Sequence, residues 1–164
     1  MALIREYRPE DGAQVERCFV ELQSFERGIQ PLRAEAKDVS KKYLEFMFKR
    51  ASETGGKVFV AESESEVIGF VCLWLRVPEN EFVNMPGEYA YVSDLVLLPD
   101  FRGRKLGYEL LKTAERYAVE NGATRLKLGV LAGNSGARRL YEKFGFTDTE
   151  VYMSKKLDAG SGDA

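Results

Sequence analysis

A short basic segment, FRGRKLGY at residues 101–108, carries the residues whose types and spacing most clearly suggest chemistry. Three cations, Arg102, Arg104 and Lys105, alternate with Gly103 and Gly107 where an apolar run ends and a helical pattern begins. The N-terminus of a helix presents unpaired N–H groups and partial positive charge, and glycines let a ligand approach the backbone closely. The segment therefore predicts an anion site, with phosphate as the favoured anion.

Two common phosphate-binding patterns do not match this basic segment. A P-loop requires G-x-x-x-x-G-K-[ST], and no Lys-Ser/Thr pair follows the glycines here. A dinucleotide fingerprint requires G-x-G-x-x-G close to the first strand, whereas this chain has G-x-x-x-G in its second half. A different kind of phosphate ligand is therefore expected.

The composition of the 164-residue chain excludes several functional classes. It has no histidine, so we expect neither a Ser-His-Asp hydrolase nor a His-based zinc site, and no metal is predicted. The net charge of −2 indicates no nucleic-acid partner. Cys18 and Cys72 lie among apolar residues, which favours free thiols in a reducing compartment. Without an apolar segment of membrane-spanning length, no membrane partner is expected, and the cytoplasm is the predicted location.

The elements that must position the basic segment follow from hydrophobic periodicity and turn residues. The predicted strands are residues 3–8, 57–62, 67–77, 89–98, 124–131 and 146–157. The predicted helices run from Pro9 to a break at Gly28, from Val39 to Gly55, from about Lys105 to Asn121, and from Ser135 to Phe144. The order β-α-α-β-β-β-α-β-α-β predicts an α/β sandwich around a mixed sheet. We expect a single domain over residues 1–157 and a disordered tail at 158–164.

A second motif, NSGARRLYEKFGF at residues 134–146, follows the basic segment. The basic segment resembles the acetyl-coenzyme A loop of the GNAT acyltransferase superfamily, and the second motif is similar to that family's N-x-x-A-x-x-x-Y-x-x-x-G-F. The opening IREYRPEDGAQV is similar to the family's first strand and helix. The resemblance spans the chain except for the tail. It implies a GNAT-like mixed central sheet flanked by helices, with acetyl-CoA as co-substrate.

The resemblance also implies how the cofactor is held. The strand before the basic segment would part from its neighbour and pair its free backbone groups with the pantetheine arm. The N–H groups of the basic segment would surround the pyrophosphate. Where the family's loop has its first glycine this chain has Lys105, whose side chain we expect to be compatible with a helical backbone. The implied cofactor-binding residues are Leu95, Val96, Leu97, Arg102, Gly103, Arg104, Lys105, Leu106, Gly107, Tyr108, Asn134 and Ala137.

Two side chains are predicted to transfer protons. The resemblance places the Tyr141 hydroxyl at the cofactor sulfur, as the acid for the departing thiolate, although Tyr141 also fits an apolar helix stripe. Asp94, within YVSDLVLL, is costly in a central strand unless it faces a cleft or a partner. A general base and a structural salt bridge are therefore both open for Asp94. Asn134 also fits a helix N-cap, and Cys72 fits an inert core thiol.

Together these features predict an N-acetyltransferase in which a primary amine attacks acetyl-CoA within a ternary complex. Residues 25–32 and 78–88 are expected to line the acceptor. Glu79, Glu81 and Glu88 would attract a cation, such as a polyamine, an amino sugar, or a peptide lysine or N-terminus. The alternative is a non-catalytic acyl-CoA-binding regulatory module on the same fold. The sequence does not identify the acceptor or the oligomeric state, and a homodimer is one of the alternatives.

Overall fold

The computed structural model describes residues 1–158, so most of the predicted tail, residues 159–164, lies outside the described residues. The strands are β1 (Leu3–Glu6), β2 (Lys57–Ser63), β3 (Glu66–Pro78), β4 (Glu88–Leu97) and β5 (Leu126–Leu128). The helices are α1 (Gly12–Ile29), α2 (Ala36–Thr54), α3 (Leu106–Glu120) and α4 (Ser135–Phe144). Short 3-10 turns at Pro9–Asp11 and Pro99–Phe101 precede α1 and α3.

The strands form one mixed sheet in the order β1-β2-β3-β4-β5. The first four strands pair antiparallel in sequence, and β5 joins β4 in parallel after the crossover through α3. Antiparallel neighbours need only tight turns, whereas a parallel pair requires a long crossover connection. This arrangement confirms the predicted α/β class.

Side chains of the sheet alternate between two apolar layers. Phe70 of β3 packs in a layer with α1 and α2, whereas its neighbour Val71 packs in a layer with α3. Buried side chains on the helices complete each layer, with Val15 and Met47 on one face and Leu111 on the other. Because successive residues of a strand point to opposite faces, one sheet can support helices on both sides.

Local signals explain most element boundaries. The left-handed conformation at Gly55, with φ of 75°, ends α2, and Gly145, with φ of 113°, ends α4. Asn134 caps α4 by accepting a hydrogen bond of 3.2 Å from the Ala137 N–H. These are the N-cap and C-terminal glycine signals that the sequence presents. The bounds predicted for α4 are confirmed.

Two predicted strands differ from the structure. The strand expected at 124–131 is limited to Leu126–Leu128. The strand expected at 146–157 is wrong, because residues 146–158 form no strand and Val151, Tyr152 and Met153 are exposed. A strand requires a neighbour along its length. The three-residue edge of β5 offers little room for such pairing.

Candidate functional site

A cavity of about 540 Å³ opens among α1, α2, β4, α4 and the segment that follows β5. Five predicted site residues line it, namely Asp94, Leu95, Asn134, Ala137 and Tyr141. The other predicted site residues do not line it; these are Val96, Leu97 and residues 102–108 of the basic segment. Both side chains predicted to transfer protons therefore face one cavity.

Strand β4 loses its parallel neighbour beside this cavity. Pairing with β5 is limited to Ala90–Leu126, Tyr91–Lys127 and Val92–Leu128, while β4 stays paired with β3 as far as Leu97. On the side away from β3, residues 93–97 thus have no strand partner within residues 1–158. An open strand edge can bind an extended ligand through its backbone groups. The predicted pantetheine contact fits this edge.

A β-bulge at Ser93 separates the two halves of β4. Residues 72 and 73 of β3 are consecutive, whereas their partners, Asp94 and Val92, are separated by Ser93. A bulge bends its strand and shifts the alternation of side chains by one position. Pairing with β5 ends at Val92, directly before the bulge.

This bulge determines which face Asp94 occupies. Val92, before the bulge, packs in the α3 layer, whereas Val96, after it, packs in the α1–α2 layer. Without the extra residue, Asp94 would share the α3 face with Val92. With it, the Asp94 carboxylate meets Tyr43 of α2. The bulge thus turns the carboxylate towards the cavity.

The Asp94 carboxylate is buried, with 7% exposure, and is held by hydroxyl groups. Tyr43 donates at 2.8 Å to Oδ2, with its oxygen 3.0 Å from Oδ1, and Ser93 donates at 2.8 Å. Asp94 forms no ion pair with another residue of 1–158, so the salt-bridge alternative has no partner in this part of the chain. Burial raises the pKa of Asp94 to about 6, against the opposing effect of the two hydrogen bonds. A carboxyl with this pKa can accept a proton near neutral pH.

Tyr43 is a site residue that the sequence analysis missed. Its ring stacks on Phe19 with centroids 4.7 Å apart, and its hydroxyl donates to Asp94. In the sequence, Tyr43 belongs to an apolar helical stripe, which indicates a core residue. No local signal connects it with Asp94, because the two residues are 51 positions apart.

Tyr141 lies on α4 and faces the same cavity. Burial, followed by the nearby charges of Glu26 and Asp94, raises its pKa above the usual tyrosine range. The hydroxyl therefore keeps its proton at neutral pH. Within residues 1–158 no side chain or backbone group forms a hydrogen bond with it. The proton is thus free to bond to a ligand, and the ring packs against Phe146 with centroids 5.9 Å apart.

The basic segment presents cations and open N–H groups at the end of β4. Arg102 donates from Nε to the Leu97 carbonyl at 2.9 Å. No carboxylate pairs with Arg102, Arg104 or Lys105 within residues 1–158. The first bond into α3 runs from the Glu109 N–H to the Lys105 carbonyl, so residues 106–108 have N–H groups without intrahelical partners. This combination suits an anion.

Lys105 has a different backbone conformation from the predicted one. Its φ of 64° and ψ of −3° are left-handed, and α3 begins only at Leu106. The expectation of a helical backbone is wrong because the turn into α3 needs positive φ at this position, a region that glycine enters at least cost. Gly107 has a packing role, since a Cβ there would lie 3.1 Å from Leu140 Cδ2.

Glu79 is not available to attract a cationic acceptor, contrary to expectation. Its carboxylate pairs with Arg125 at 2.6 Å and with Lys127 at 2.8 Å. The Lys127 hydrogen bond, more than any other contact, lowers the pKa of Glu79. Glu81 and Glu88 are exposed, and no residue of 78–88 lines the cavity. Of the segment 25–32, Glu26 does line it.

Three further findings concern other classes of site. Burial raises the pKa of the Cys72 thiol to about 12, so this cysteine is a poor nucleophile. Residues 1–158 hold no group of three or more His, Cys, Asp or Glu side chains arranged to bind a metal ion. Within the same residues, every helix is too short or too polar to cross a membrane.

The model of a known protein family matches most of the chain. The model of the acetyltransferase (GNAT) family matches residues 16–146. The chain belongs to the GNAT family. This match includes α2, the bulged strand β4, the basic segment and the second motif, so the cavity lies inside the GNAT region.

Individual GNAT relatives cover different shares of the chain. The uncharacterised N-acetyltransferase YhfO of Bacillus subtilis is 32% identical over 151 residues, which are 92% of this chain and 93% of YhfO. YycN of the same organism, also an uncharacterised N-acetyltransferase, is 35% identical over 96 residues, 58% of this chain. The chain matches only 57% of YycN and 53% of the N-acetyltransferase MJ1207 of Methanocaldococcus jannaschii. The chain thus spans little more than half the length of these two relatives.

Solved structures show the same GNAT fold. A proposed acetyltransferase of Pyrococcus furiosus superimposes with a TM-score of 0.74 at 24% identity, covering 96% of this chain and all of that one. The aminoglycoside N-acetyltransferase AAC(6')-Iy, solved in complex with CoA, gives a TM-score of 0.66 at 16% identity, covering 96% and 95%. At these identities the likeness establishes the fold alone.

Proposed function

We propose that the protein is an N-acetyltransferase that moves the acetyl group of acetyl-CoA to a primary amine by direct attack in a ternary complex. One observation carries the proposal. A buried carboxylate, Asp94, and the Tyr141 hydroxyl, which has no hydrogen-bond partner within residues 1–158, face the same cavity where β4 leaves β5. Such a pair can supply a proton acceptor for the attacking amine and a proton donor for the departing thiolate.

Acetyl-CoA supplies the reactive thioester. The residues suited to hold its anionic part are those of the basic segment, where the N–H groups of residues 106–108 have no intrahelical partner and three cations form no ion pair within residues 1–158. The open edge of β4 at residues 93–97 suits the pantetheine arm and offers backbone N–H groups to the thioester carbonyl. Holding both reactants in one cavity supplies much of the rate enhancement.

Asp94 and Tyr141 then have opposite tasks. An alkyl ammonium must lose a proton before it can attack, and Asp94, with a pKa of about 6, is ionised and able to accept that proton at pH 7. Tyr141 retains its proton at the same pH and can give it to the departing thiolate. Burial keeps the proton on Tyr141, whereas the hydrogen bonds from Ser93 and Tyr43 limit the rise that burial causes in the pKa of Asp94.

The acceptor is a primary amine on a small molecule or a peptide. Among relatives, a proposed ribosomal-protein bS18 alanine N-acetyltransferase of Bacillus subtilis is 29% identical over 101 residues, and the mouse thialysine N-epsilon-acetyltransferase is 28% identical over 75 residues. Their names span peptide and small-molecule amines. We also propose a cytoplasmic location, in keeping with the two free, buried cysteines. A homodimer stays a prediction.

The second candidate is a non-catalytic acyl-CoA-binding module, which the strained Lys105 in the loop favours. Thiol release from acetyl-CoA, measured across a panel of primary amines, separates the two candidates. We expect amine-dependent release and acetylated products by mass spectrometry. A melting temperature that rises with acetyl-CoA, without thiol release for any amine in the panel, would favour the binding module.

A further inference from the structure

Arg33 brings a positive charge to the cavity that also contains Asp94 and Tyr141. It lies in the connection between α1 and α2, where two bonds fix its backbone. Its N–H donates to the Gln30 carbonyl at 3.0 Å, and its carbonyl accepts from Arg27 Nε at 3.1 Å. These bonds fix the backbone of Arg33, whose side chain lines the cavity.

The guanidinium of Arg33 has an unused donor. Nε is buried and has no hydrogen-bond partner within residues 1–158. The only ion pair of this side chain in that range joins Nη2 to Glu26 Oε2 at 3.2 Å, a single and rather long contact. A buried N–H without a partner is costly, and an arginine binds a carboxylate best through two parallel donors. A hydrogen-bond acceptor from a ligand would complete this group.

Glu26 is a second carboxylate at the cavity and pairs with one terminal nitrogen of Arg33. Burial raises the pKa of Glu26, and the charge of Arg33 opposes that rise only in part. Asp94 forms no ion pair with Arg33, although both line the cavity. The cavity thus offers the Asp94 carboxylate for an ammonium, and an Arg33 guanidinium that Glu26 engages only in part for an anion.

We propose that the acceptor carries a carboxylate as well as its amine, with the carboxylate bound by Arg33 and the amine directed to Asp94. This inference rests on the proposed function and names its substrate class, an amino acid or a related amino carboxylate. The unused Nε and the Nη2 group form one edge of the guanidinium, which matches the two oxygens of a carboxylate. Polyamines and amino sugars lack this group.

Matched pairs of amines test the proposal. Each pair joins an amino carboxylate to the amine that remains when its carboxylate is replaced by hydrogen: lysine with cadaverine, ornithine with putrescine, 4-aminobutyrate with propylamine, and alanine with ethylamine. The kcat/KM for thiol release from acetyl-CoA is measured for every member. We expect the carboxylate to raise kcat/KM by about tenfold or more in at least one pair, as is typical for a charge-assisted contact.

For that pair, Arg33→Gln should lower the ratio of kcat/KM for the amino carboxylate to kcat/KM for its matched amine to about one. The change should come mainly from KM. Arg116→Gln, on the exposed face of α3, is the matched control and should keep the wild-type ratio. Equal rates within all pairs, or a ratio that survives Arg33→Gln, would overturn this inference while leaving the acetyltransferase intact. An absence of thiol release with every amine would instead contradict the proposed function, and this inference with it.

Discussion

Asp94 shows how single hydroxyl groups can set the properties of a buried acid. Its pKa of about 6 reflects burial, which raises it, and the hydrogen bonds from Ser93 and Tyr43, which oppose that rise. Both donors stabilise the ionised form. The two hydroxyls therefore keep the carboxylate available as a base at neutral pH.

Tyr43→Phe removes one of these donors and leaves the ring on Phe19. The pKa of Asp94 should rise, because its ionised form loses a hydrogen bond. The acidic limb of the kcat/KM profile should then move to higher pH. Tyr117→Phe, which removes a hydroxyl bonded to the Gly55 carbonyl, is the control and should leave the limb in place. If the acidic limb of the kcat/KM profile does not move in either variant, the role of Tyr43 is in packing alone.

Tyr141→Phe keeps the ring and its contact with Phe146 but removes the proton for the departing thiolate. We expect kcat to fall about 10²-fold, the usual size of proton-transfer assistance, with little change in acetyl-CoA affinity by calorimetry. Steady-state kinetics under conditions where chemistry limits turnover provide the measurement. A kcat within about twofold of the wild type would make Tyr141 a core residue.

At the scale of elements, the bulged strand β4 and the turn into α3 form the site. The bulge at Ser93 turns Asp94 to the cavity and coincides with the loss of pairing to β5. The turn places Lys105 at positive φ directly before residues 106–108, whose N–H groups have no intrahelical partner. Both features are local departures from regular structure, as is common beside functional sites.

Lys105→Gly tests the strain in this turn. A non-glycine residue with left-handed dihedrals costs about 1 kcal/mol, and glycine relieves that cost while losing some unfolded-state entropy. We expect the free energy of unfolding in urea to rise by up to about 1 kcal/mol. A lower free energy of unfolding would show that the Lys105 side chain contributes contacts that outweigh the strain.

The sequence predicts elements whose signals are local and misses those that depend on distant partners. Helix α4 was predicted at its bounds because Asn134 and Gly145 mark its two ends. The bulge at Ser93 and the contact between Tyr43 and Asp94 depend on register and tertiary packing. The strand expected at 146–157 had a suitable composition but no long neighbour. Composition alone cannot supply that neighbour.

At the scale of the whole molecule, the buried Asp94 carboxylate lowers the free energy of unfolding at neutral pH. The pKa of Asp94 is higher in the folded chain, at about 6, than the ordinary value of 3.8. The folded state therefore binds more protons between these two values. Stability from this group is present below pH 3.8 and is lost as the pH rises through about 6.

Asp94→Asn should accordingly stabilise the protein at pH 7, by on the order of 1–3 kcal/mol. The gain should shrink as the pH falls towards 4, where the wild-type carboxyl regains its proton. Urea unfolding across this pH range measures the effect, with the exposed Asp100→Asn as control. A variant that is less stable at pH 7 would mean that the lost hydrogen bonds outweigh the relief of burying a charge.

The central claim is that Asp94 takes a proton from an amine that attacks acetyl-CoA. The most direct test is the pH dependence of amine-dependent thiol release for the wild type and for Asp94→Asn. The account predicts a wild-type kcat/KM that rises through a midpoint near 6. For Asp94→Asn it predicts a profile without this limb. The kcat/KM of the variant should lie below that of the wild type, and this difference should shrink at high pH, where solvent removes the proton from the amine. Superimposable profiles for the two proteins would contradict the claim.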